Sequence, residues 1–446
     1  MDTVVIIGAG SIGSFVATLL SKQEYNVILV DKDRKKLEQA VWNLDVATRV
    51  GVGTDWQLLE DLLEYSPTLL IALTSDDETN IIACSIAKQL GFKRTIARVK
   101  EAKYLNRTRL DFSHLFDIDH FIGPEFLVAS EIYKYILSPG SIAVENFMQG
   151  AVQMRTLQVP DSWKKQKTPL SSLDLPEGIM VGLILRGQKV IFPHGEDVIL
   201  PYDQVTFIGK LEAILKIHEF LGLSQFISNS IVVVGGSLIG VHLSKMLESQ
   251  EIGVRLLEED YDVCVSLSET LSQTTIINHN PLDLDFLIAE KMGESRLFVS
   301  CSKNDEFNIM SALLGKEAGC QDVLAVISNP SYIPMVYRLG INHSVSMRLL
   351  VSDHILSQMF AGRVSSLISL YENKAEVMEI TVSQEAKVVG IPLSELLPLL
   401  PNEVLIALIQ NRGKIMVAKG NTVISPGDTV ILITDPKHVQ EFENIF

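Results

Sequence analysis

The sequence predicts two tandem α/β domains, each built on a doubly wound parallel sheet and each followed by a small α+β lobe. Three observations carry this. An apolar run, Thr3-Val4-Val5-Ile6-Ile7, feeds the turn Gly8-Ala9-Gly10-Ser11-Ile12-Gly13. In a Gly-x-Gly-x-x-Gly turn between strand and helix, the first glycine permits the bend and the second lets amides approach a pyrophosphate. The third lets the helix pack on the strand. Strand and helix patterns then alternate as far as residue 99, as a parallel sheet requires. Finally, the whole order restarts at Ser230-Ile231-Val232-Val233-Val234 and the altered turn Gly235-Gly236-Ser237-Leu238-Ile239-Gly240, at an offset of 227 from Gly8 to Gly235.

The elements follow in order. Residues 14–22 carry Val16, Leu19 and Leu20 on one helical face, and residues 27–30 form a strand ending at Asp31. The basic run Lys32-Asp33-Arg34-Lys35-Lys36 begins the next helix. Residues 46–50 form a short strand before the loop Gly51-Val52-Gly53-Thr54-Asp55. Residues 69–74 are a buried strand, 80–90 a helix, and 95–99 a further strand leading to Lys100. From Pro139 the pattern changes to short alternating strands punctuated by Pro169, Gly178, Gly187 and Gly195, with a terminal helix over 211–221 and a linker over 222–230. Later segments echo earlier ones. Ser302-Lys303-Asn304-Asp305-Glu306-Phe307-Asn308 copies Thr74-Ser75-Asp76-Asp77-Glu78-Thr79-Asn80, and Pro392-Leu393-Ser394 copies Pro169-Leu170-Ser171. The expected domains are therefore 1–138, a lobe over 139–225, 229–360, and a second lobe over 370–446.

Composition narrows the function. Hydrophobic residues make up 47% of 446 and charged residues 21%, ordinary for a globular chain, and no apolar run approaches the roughly 18 residues of a membrane span. The first residues show neither a basic region nor a signal-peptide core, which predicts a cytoplasmic protein. A net charge of −16 argues against nucleic acid as partner and suits a basic surface, such as the cytoplasmic loops of a membrane protein, as well as plain solubility. The four cysteines have no paired spacing and read as buried thiols. The nine histidines show no metal-ligand spacing, so no metal is expected.

The candidate site of the first half comprises Gly8, Ala9, Gly10, Ser11, Ile12 and Gly13, whose amides and helix dipole would hold a pyrophosphate. Asp31 sits where an acid accepts the adenosine ribose hydroxyls and repels a 2′-phosphate. Thr74 and Ser75 lie at the carboxyl end of a parallel strand, where such sheets bind ligands. Arg98 ends the next strand, with Lys100 beside it. The Arg98 guanidinium either takes a phosphate or neutralises Asp76, Asp77 or Glu78. In the second half the matching set is Gly235, Gly236, Ser237, Leu238, Ile239 and Glu258. Ser237 places a side chain at the middle glycine, His279 and Pro281 replace Gly51 and Gly53, and Val326 replaces Arg98. That copy reads as weak or structural. No catalytic grouping emerges, so the nucleotide is a signal rather than a reactant. An NAD-dependent dehydrogenase is the alternative, and it predicts a polar pocket within residues 140–225.

The chain resembles the TrkA-type regulators of bacterial Trk potassium uptake, which contain two tandem RCK units. The resemblance covers essentially the whole chain. It is carried by Leu73-Thr74-Ser75-Asp76-Asp77-Glu78-Thr79-Asn80, by Thr95-Ile96-Ala97-Arg98-Val99, by Gly123-Pro124-Glu125 and by the turn Ser138-Pro139-Gly140. It implies Rossmann-like nucleotide domains, NAD(H) or ATP/ADP as regulatory ligand, and assembly into a ring, a homotetramer. It also implies peripheral attachment to the inner membrane face through an integral potassium-translocating subunit of Trk type. A regulator of a potassium efflux system is a further alternative; such modules are usually fused to membrane spans.

Overall fold

The computed structural model describes residues 2–40, 46–105, 110–137, 141–214, 216–223, 230–359, 364–371, 374–396, 400–401, 403–411, 413–443 and 445–446. The turn at 138–140, most of the expected linker 222–230 and the expected boundaries at 138, 225, 229 and 360 lie outside the described residues. Strands β1 (Thr3–Ile7), β2 (Asn26–Asp31), β3 (Ala47–Val50), β4 (Leu69–Ala72), β5 (Arg94–Arg98) and β6 (His120–Ile122) form a parallel sheet in the order β3-β2-β1-β4-β5-β6. The order reverses between β1 and β4, where ligands bind in open α/β sheets. All five residues of β1 and all four of β4 are buried, because helices cover both faces.

The next five strands, β7 (Ser141–Phe147), β8 (Val152–Gln158), β9 (Ile179–Arg186), β10 (Lys189–Ile191) and β11 (Gln204–Lys210), form an antiparallel sheet in the order β10-β9-β11-β8-β7. A second parallel sheet follows from β12 (Ser230–Val234), β13 (Gly253–Glu258), β14 (Thr275–Asn278), β15 (Leu297–Ser300), β16 (Val323–Ile327) and β17 (His343–Ser346), ordered β14-β13-β12-β15-β16-β17. The last sheet contains β18 (Val364–Leu370), β19 (Ala375–Thr381), β20 (Val404–Asn411), β21 (Lys414–Val417) and β22 (Thr429–Thr434), ordered β18-β19-β22-β20-β21. Each sheet of the second half repeats the connectivity of its first-half counterpart.

Local chemistry moves several boundaries from their expected positions. The first helix is Ser11–Lys22, three residues earlier than the apolar face implies, because Gly10 takes the extended N-cap conformation (φ −75°, ψ −176°). The fourth-strand crossover helix is Asp77–Leu90, since the Asp76 side chain accepts from the Thr79 amide and starts the helix there. The basic run enters its helix only at Arg34, and the expected helix over 211–221 divides into Leu211–Ile214 and Ile217–Leu221.

The described residues group into two compact units. One unites both parallel-sheet halves (Met1–Tyr133 with Ser228–Ser352), and the other unites both lobes (Lys134–Ile227 with Asp353–Phe446). In the lobe unit, Met154, Leu183 and Ile208 share one core with Val377, Leu408 and Ile433. The Tyr371 hydroxyl lies 2.6 Å from Thr206 Oγ1, and the Met148 amide donates to Glu379 Oε2 at 2.8 Å. In the parallel-sheet unit, Phe126 meets the His242 ring edge-on at 5.8 Å between centroids. All four cysteines are buried thiols. Among the described residues no helix is long and apolar enough to cross a membrane.

Candidate functional site

The first glycine turn is shaped by two close backbone approaches. Gly8 has φ +104°, and a Cβ there would stand 3.0 Å from the Thr74 amide nitrogen. A Cβ on Gly13 would stand 1.9 Å from the Gly8 carbonyl oxygen, so helix and strand approach as closely as they do only with glycine. Gly10 differs: a Cβ there would meet nothing within 4 Å, and no side chain caps the helix it begins. The helix therefore presents its N-terminal amides, with their partial positive charge, to open space. Of the turn's three glycines, Gly10 is the one that no contact within 4 Å requires to lack a side chain.

Asp31 ends β2 beside this turn. Its Oδ2 accepts from the Ala9 amide at 2.7 Å and its Oδ1 from the Asp33 amide at 2.9 Å. The carboxylate thus braces the turn, and each oxygen keeps a lone pair for a further donor. Gly51 and Gly53 are packing glycines: Cβ atoms there would meet Leu58 Cδ2 at 2.6 Å and Ile7 Cγ2 at 2.3 Å. The basic run is a solvated face, with Arg34 paired to Glu38 at 3.2 Å in full view of solvent.

Thr74 is engaged within the protein. Its amide and hydroxyl both donate to Asn80 Oδ1, at 2.9 and 2.7 Å. The fully buried Asn80 donates from Nδ2 to the Thr74 and Arg98 carbonyls, which ties the ends of β4 and β5 together. Asp77 accepts from the Lys100 and Glu101 amides. The second half repeats both bolts. Asn308 joins Ser302 to the Val326 carbonyl, and Asp305 accepts from the Ser328 and Asn329 amides. The Thr-Ser-Asp-Asp-Glu-Thr-Asn motif therefore holds the sheet edge in place. Ser75 is exposed, and its carbonyl accepts from Lys100 Nζ.

Arg98 pairs with none of Asp76, Asp77 or Glu78. Its Nη2 lies 3.0 Å from Glu125 Oε1, with the two side chains 13% and 14% exposed. Arg98 Nε and Glu125 Oε2 are both buried without a hydrogen-bond partner. The expected acids have other work: Asp76 caps its helix, and Thr79 holds its carboxyl below the usual range. Glu125 is the partner of Arg98 that spacing alone misses. Its signal in the sequence is Gly123-Pro124-Glu125, a proline at the start of the helix Pro124–Leu137 with an acid in the first turn.

The second turn is altered in a compensated way. Ser237 Oγ donates to the Cys301 carbonyl at 2.5 Å and accepts from the Gly240 amide at 3.4 Å, capping the helix Leu238–Glu248. The hydroxyl folds back onto the protein and occupies the Gly240 amide. Glu258 braces the turn as Asp31 does, accepting from the Gly236 amide at 2.6 Å and the Asp260 amide at 3.0 Å. Glutamate is one methylene longer than aspartate. A Cβ on residue 236 would lie 3.1 Å from its Oε2 and 2.7 Å from Val263 Cγ1, so Ala9 with Asp31 becomes Gly236 with Glu258. His279 stacks on Phe286 at 3.7 Å and meets Asp283 at 3.0 Å. A cavity of about 1020 Å³ covers this turn, lined by Gly235, Gly236, Ser237, Leu238, Ile239 and Glu258. Lys100 and Glu125 of the first half form part of its wall, with Val326 and Lys303. Among the described residues no cluster of side chains could hold a metal ion.

A family model described as the TrkA-N domain matches residues 4–121 and 231–347, and one described as the TrkA-C domain matches 167–222 and 377–446. The chain belongs to the TrkA family. The chain is similar to Trk system potassium uptake protein TrkA homolog 1 of Methanosarcina mazei, 28% identical over 450 residues covering 99% of each chain. It is likewise similar to Trk system potassium uptake protein TrkA of Halomonas elongata, 29% identical over 455 residues covering 99% of this chain and 98% of that one. Among solved structures, the GsuK channel superposes with a TM-score of 0.66 at 16% identity, covering 99% of this chain and 78% of the other. The GsuK channel bound to NAD superposes at 0.63, with 15% identity, covering 100% of this chain and 78% of the other. The solved structures share the fold, and the family models give it as tandem TrkA-N and TrkA-C domains.

Proposed function

We propose that this chain is the nucleotide-responsive regulatory subunit of a membrane potassium-uptake system of Trk type. The observation that carries the reading is the uncapped helix N-terminus at Gly10, with Asp31 braced beside it, in a chain of the TrkA family. Such a cradle suits the pyrophosphate shared by NAD(H), ATP and ADP. The ligand set is Gly8, Ala9, Gly10, Ser11, Ile12, Gly13 and Asp31. Thr74 and Ser75 shape the floor, and the buried orphan Nε of Arg98 is a donor that a phosphate could satisfy. The partner is an integral potassium-translocating subunit, met by a homotetrameric ring of this chain on the cytoplasmic membrane face.

Regulation in this scheme is a population shift. A nucleotide changes the ring only by binding one of its shapes more tightly, and a difference of about 1–3 kcal/mol alters affinity roughly 5–150-fold. Calorimetric titration of the full chain with ATP, ADP, NAD⁺ and NADH tests the proposal. Saturable micromolar binding without turnover is expected, together with co-purification with an integral membrane protein. Absence of binding by all four ligands would sink the reading, and steady nicotinamide turnover would favour a dehydrogenase.

A further inference from the structure

We propose that Arg155, on strand β8 of the first lobe, anchors a binding site for a small oxyanion of the carboxylate or phosphate class.

Arg155 is 5% exposed, yet among the described residues no carboxylate pairs with it. Other arginines of the chain have their counter-groups. Arg98 has Glu125, and Arg186 of the same lobe grips Asp203 with two hydrogen bonds at 2.9 and 2.8 Å. Arg255 donates to the Glu290 and Lys291 carbonyls and to Ser295 Oγ. Arg155 has one protein partner, Gln153, whose Oε1 accepts from Nε at 2.6 Å. Burial pulls its guanidinium below the usual value, and no acid raises it again. A charge removed from water without a partner is unfavourable, so the fold leaves a place for an anion that its own side chains do not fill.

The polarity of the neighbouring hydrogen bonds gives the sign of the ligand. A guanidinium can only donate, so Gln153 must turn its oxygen toward Arg155. Gln153 Nε2 then donates to Asn146 Oδ1 at 3.0 Å, which leaves the Nδ2 of the exposed Asn146 as the outer end of the chain. The three side chains share one face, since β7 and β8 pair Asn146 with Gln153 and Val144 with Arg155. The nitrogens left unbonded in this row are all donors. With Nε held by Gln153, the free edge of Arg155 is its two Nη groups, whose parallel N–H bonds match two oxygens of a carboxylate or phosphate.

The second lobe has the opposite sign at the same register. Ser369, Glu376 and Thr434 align there as Asn146, Gln153 and Gly209 align in the first lobe. Ser369 Oγ donates to Glu376 Oε1 at 2.6 Å, and Glu376 Oε2 is buried without a partner. Two residues after Glu376, where the first lobe has Arg155, stands Met378, fully buried. The lobe fold therefore accepts an apolar side chain at this position and does not need arginine for its construction. On the opposite face of β8, Met154 enters the core shared with Val377. An anion on Arg155 thus acts on the strand that joins the two lobes.

The test is thermal melting of the full chain in acetate, in phosphate and in chloride at matched ionic strength, for wild type, Arg155→Met and Arg155→Lys. In wild type an oxyanion should raise the midpoint saturably above its value in chloride. Arg155→Met, which copies Met378, should melt in chloride at or above wild type and lose the oxyanion response. Arg155→Lys keeps the charge without the fork and should require about tenfold more anion for the same rise. A response confined to acetate or to phosphate supports the site and identifies the class. A wild-type midpoint that follows ionic strength alone overturns the proposal. An oxyanion response of equal size in Arg155→Met also overturns it, because the anion then binds elsewhere.

Discussion

Replacing Gly10 by serine should stabilise the empty protein and weaken its nucleotide binding at the same time. The second half already contains the substituted arrangement. Ser237 has φ −68° and ψ 166°, Gly10 has φ −75° and ψ −176°, and a Cβ on Gly10 enters open space. A serine at residue 10 can therefore adopt the Ser237 geometry without strain, its hydroxyl accepting from the Gly13 amide. Serine exceeds glycine as an N-cap by a few tenths of a kcal/mol, roughly, so the ligand-free melting temperature should rise slightly. The capped amide is then lost to a phosphate. A hydrogen bond to a charged group contributes about 1.5–3 kcal/mol, which is roughly a ten- to hundredfold loss of affinity. Differential scanning calorimetry without ligand and isothermal titration with ADP measure the two effects independently. The reverse exchange, Ser237→Gly, should lower stability slightly and strengthen binding in the second half. Should Gly10→Ser melt higher yet bind within twofold of wild type, the open amides are not the cradle and the site lies elsewhere.

Other expectations follow from charge and burial. Arg98→Ala leaves Glu125 buried without its cation and should cost about 3–5 kcal/mol, recovered in part by Arg98→Ala with Glu125→Gln, as thermal melts would show. In that double variant the ratio of ATP to ADP affinity should change, and an unchanged ratio means that Arg98 does not sense the third phosphate. Burial pushes the Glu376 carboxyl up to about 7, against an ordinary value near 4.5. The folded state therefore binds the proton more tightly than the unfolded one, so its stabilisation is complete below pH 4.5 and is lost as pH rises through 7. Denaturant titrations across pH 5–8 should show roughly 3 kcal/mol of decline in the wild type that is absent in Glu376→Gln. Burial also pushes the Cys301 thiol to about 12 and Cys320 to about 11, so the native chain should react with a thiol reagent only on unfolding, when four cysteines titrate.

The repeat, both glycine turns and the paired acids Asp31 and Glu258 were legible because each depends on residues within one strand–turn–helix segment. The motif from Thr74 to Asn80 was equally visible, yet its purpose was not. Spacing does not say that a buried asparagine bridges two strand ends. The partner of Arg98 was hidden for a related reason: Glu125 arrives from a helix beyond β6, whereas Asp76, Asp77 and Glu78 are nearer in sequence, and Asp76 and Asp77 face other amides. Compared residue by residue, the second turn reads as altered. In three dimensions the alanine-to-glycine change at 236 makes room for the longer Glu258. The cavity wall from Lys100 and Glu125 was beyond reach, since no local pattern records which half faces which.

The grouping of the chain into two units, each drawn from both halves, has a genetic consequence. The polypeptide passes between the units at residues 133–134, 227–228 and 352–353. A break at the midpoint would therefore cut neither unit out cleanly. It would give two fragments, each with one parallel sheet and one lobe, and each baring the apolar face that Met154 or Val377 now covers. Such fragments could hide those faces by joining a copy of themselves. The intact chain resembles such a dimer closed into one polypeptide, in which the two members were then free to diverge. One kept an open amide cradle, and the other capped its own.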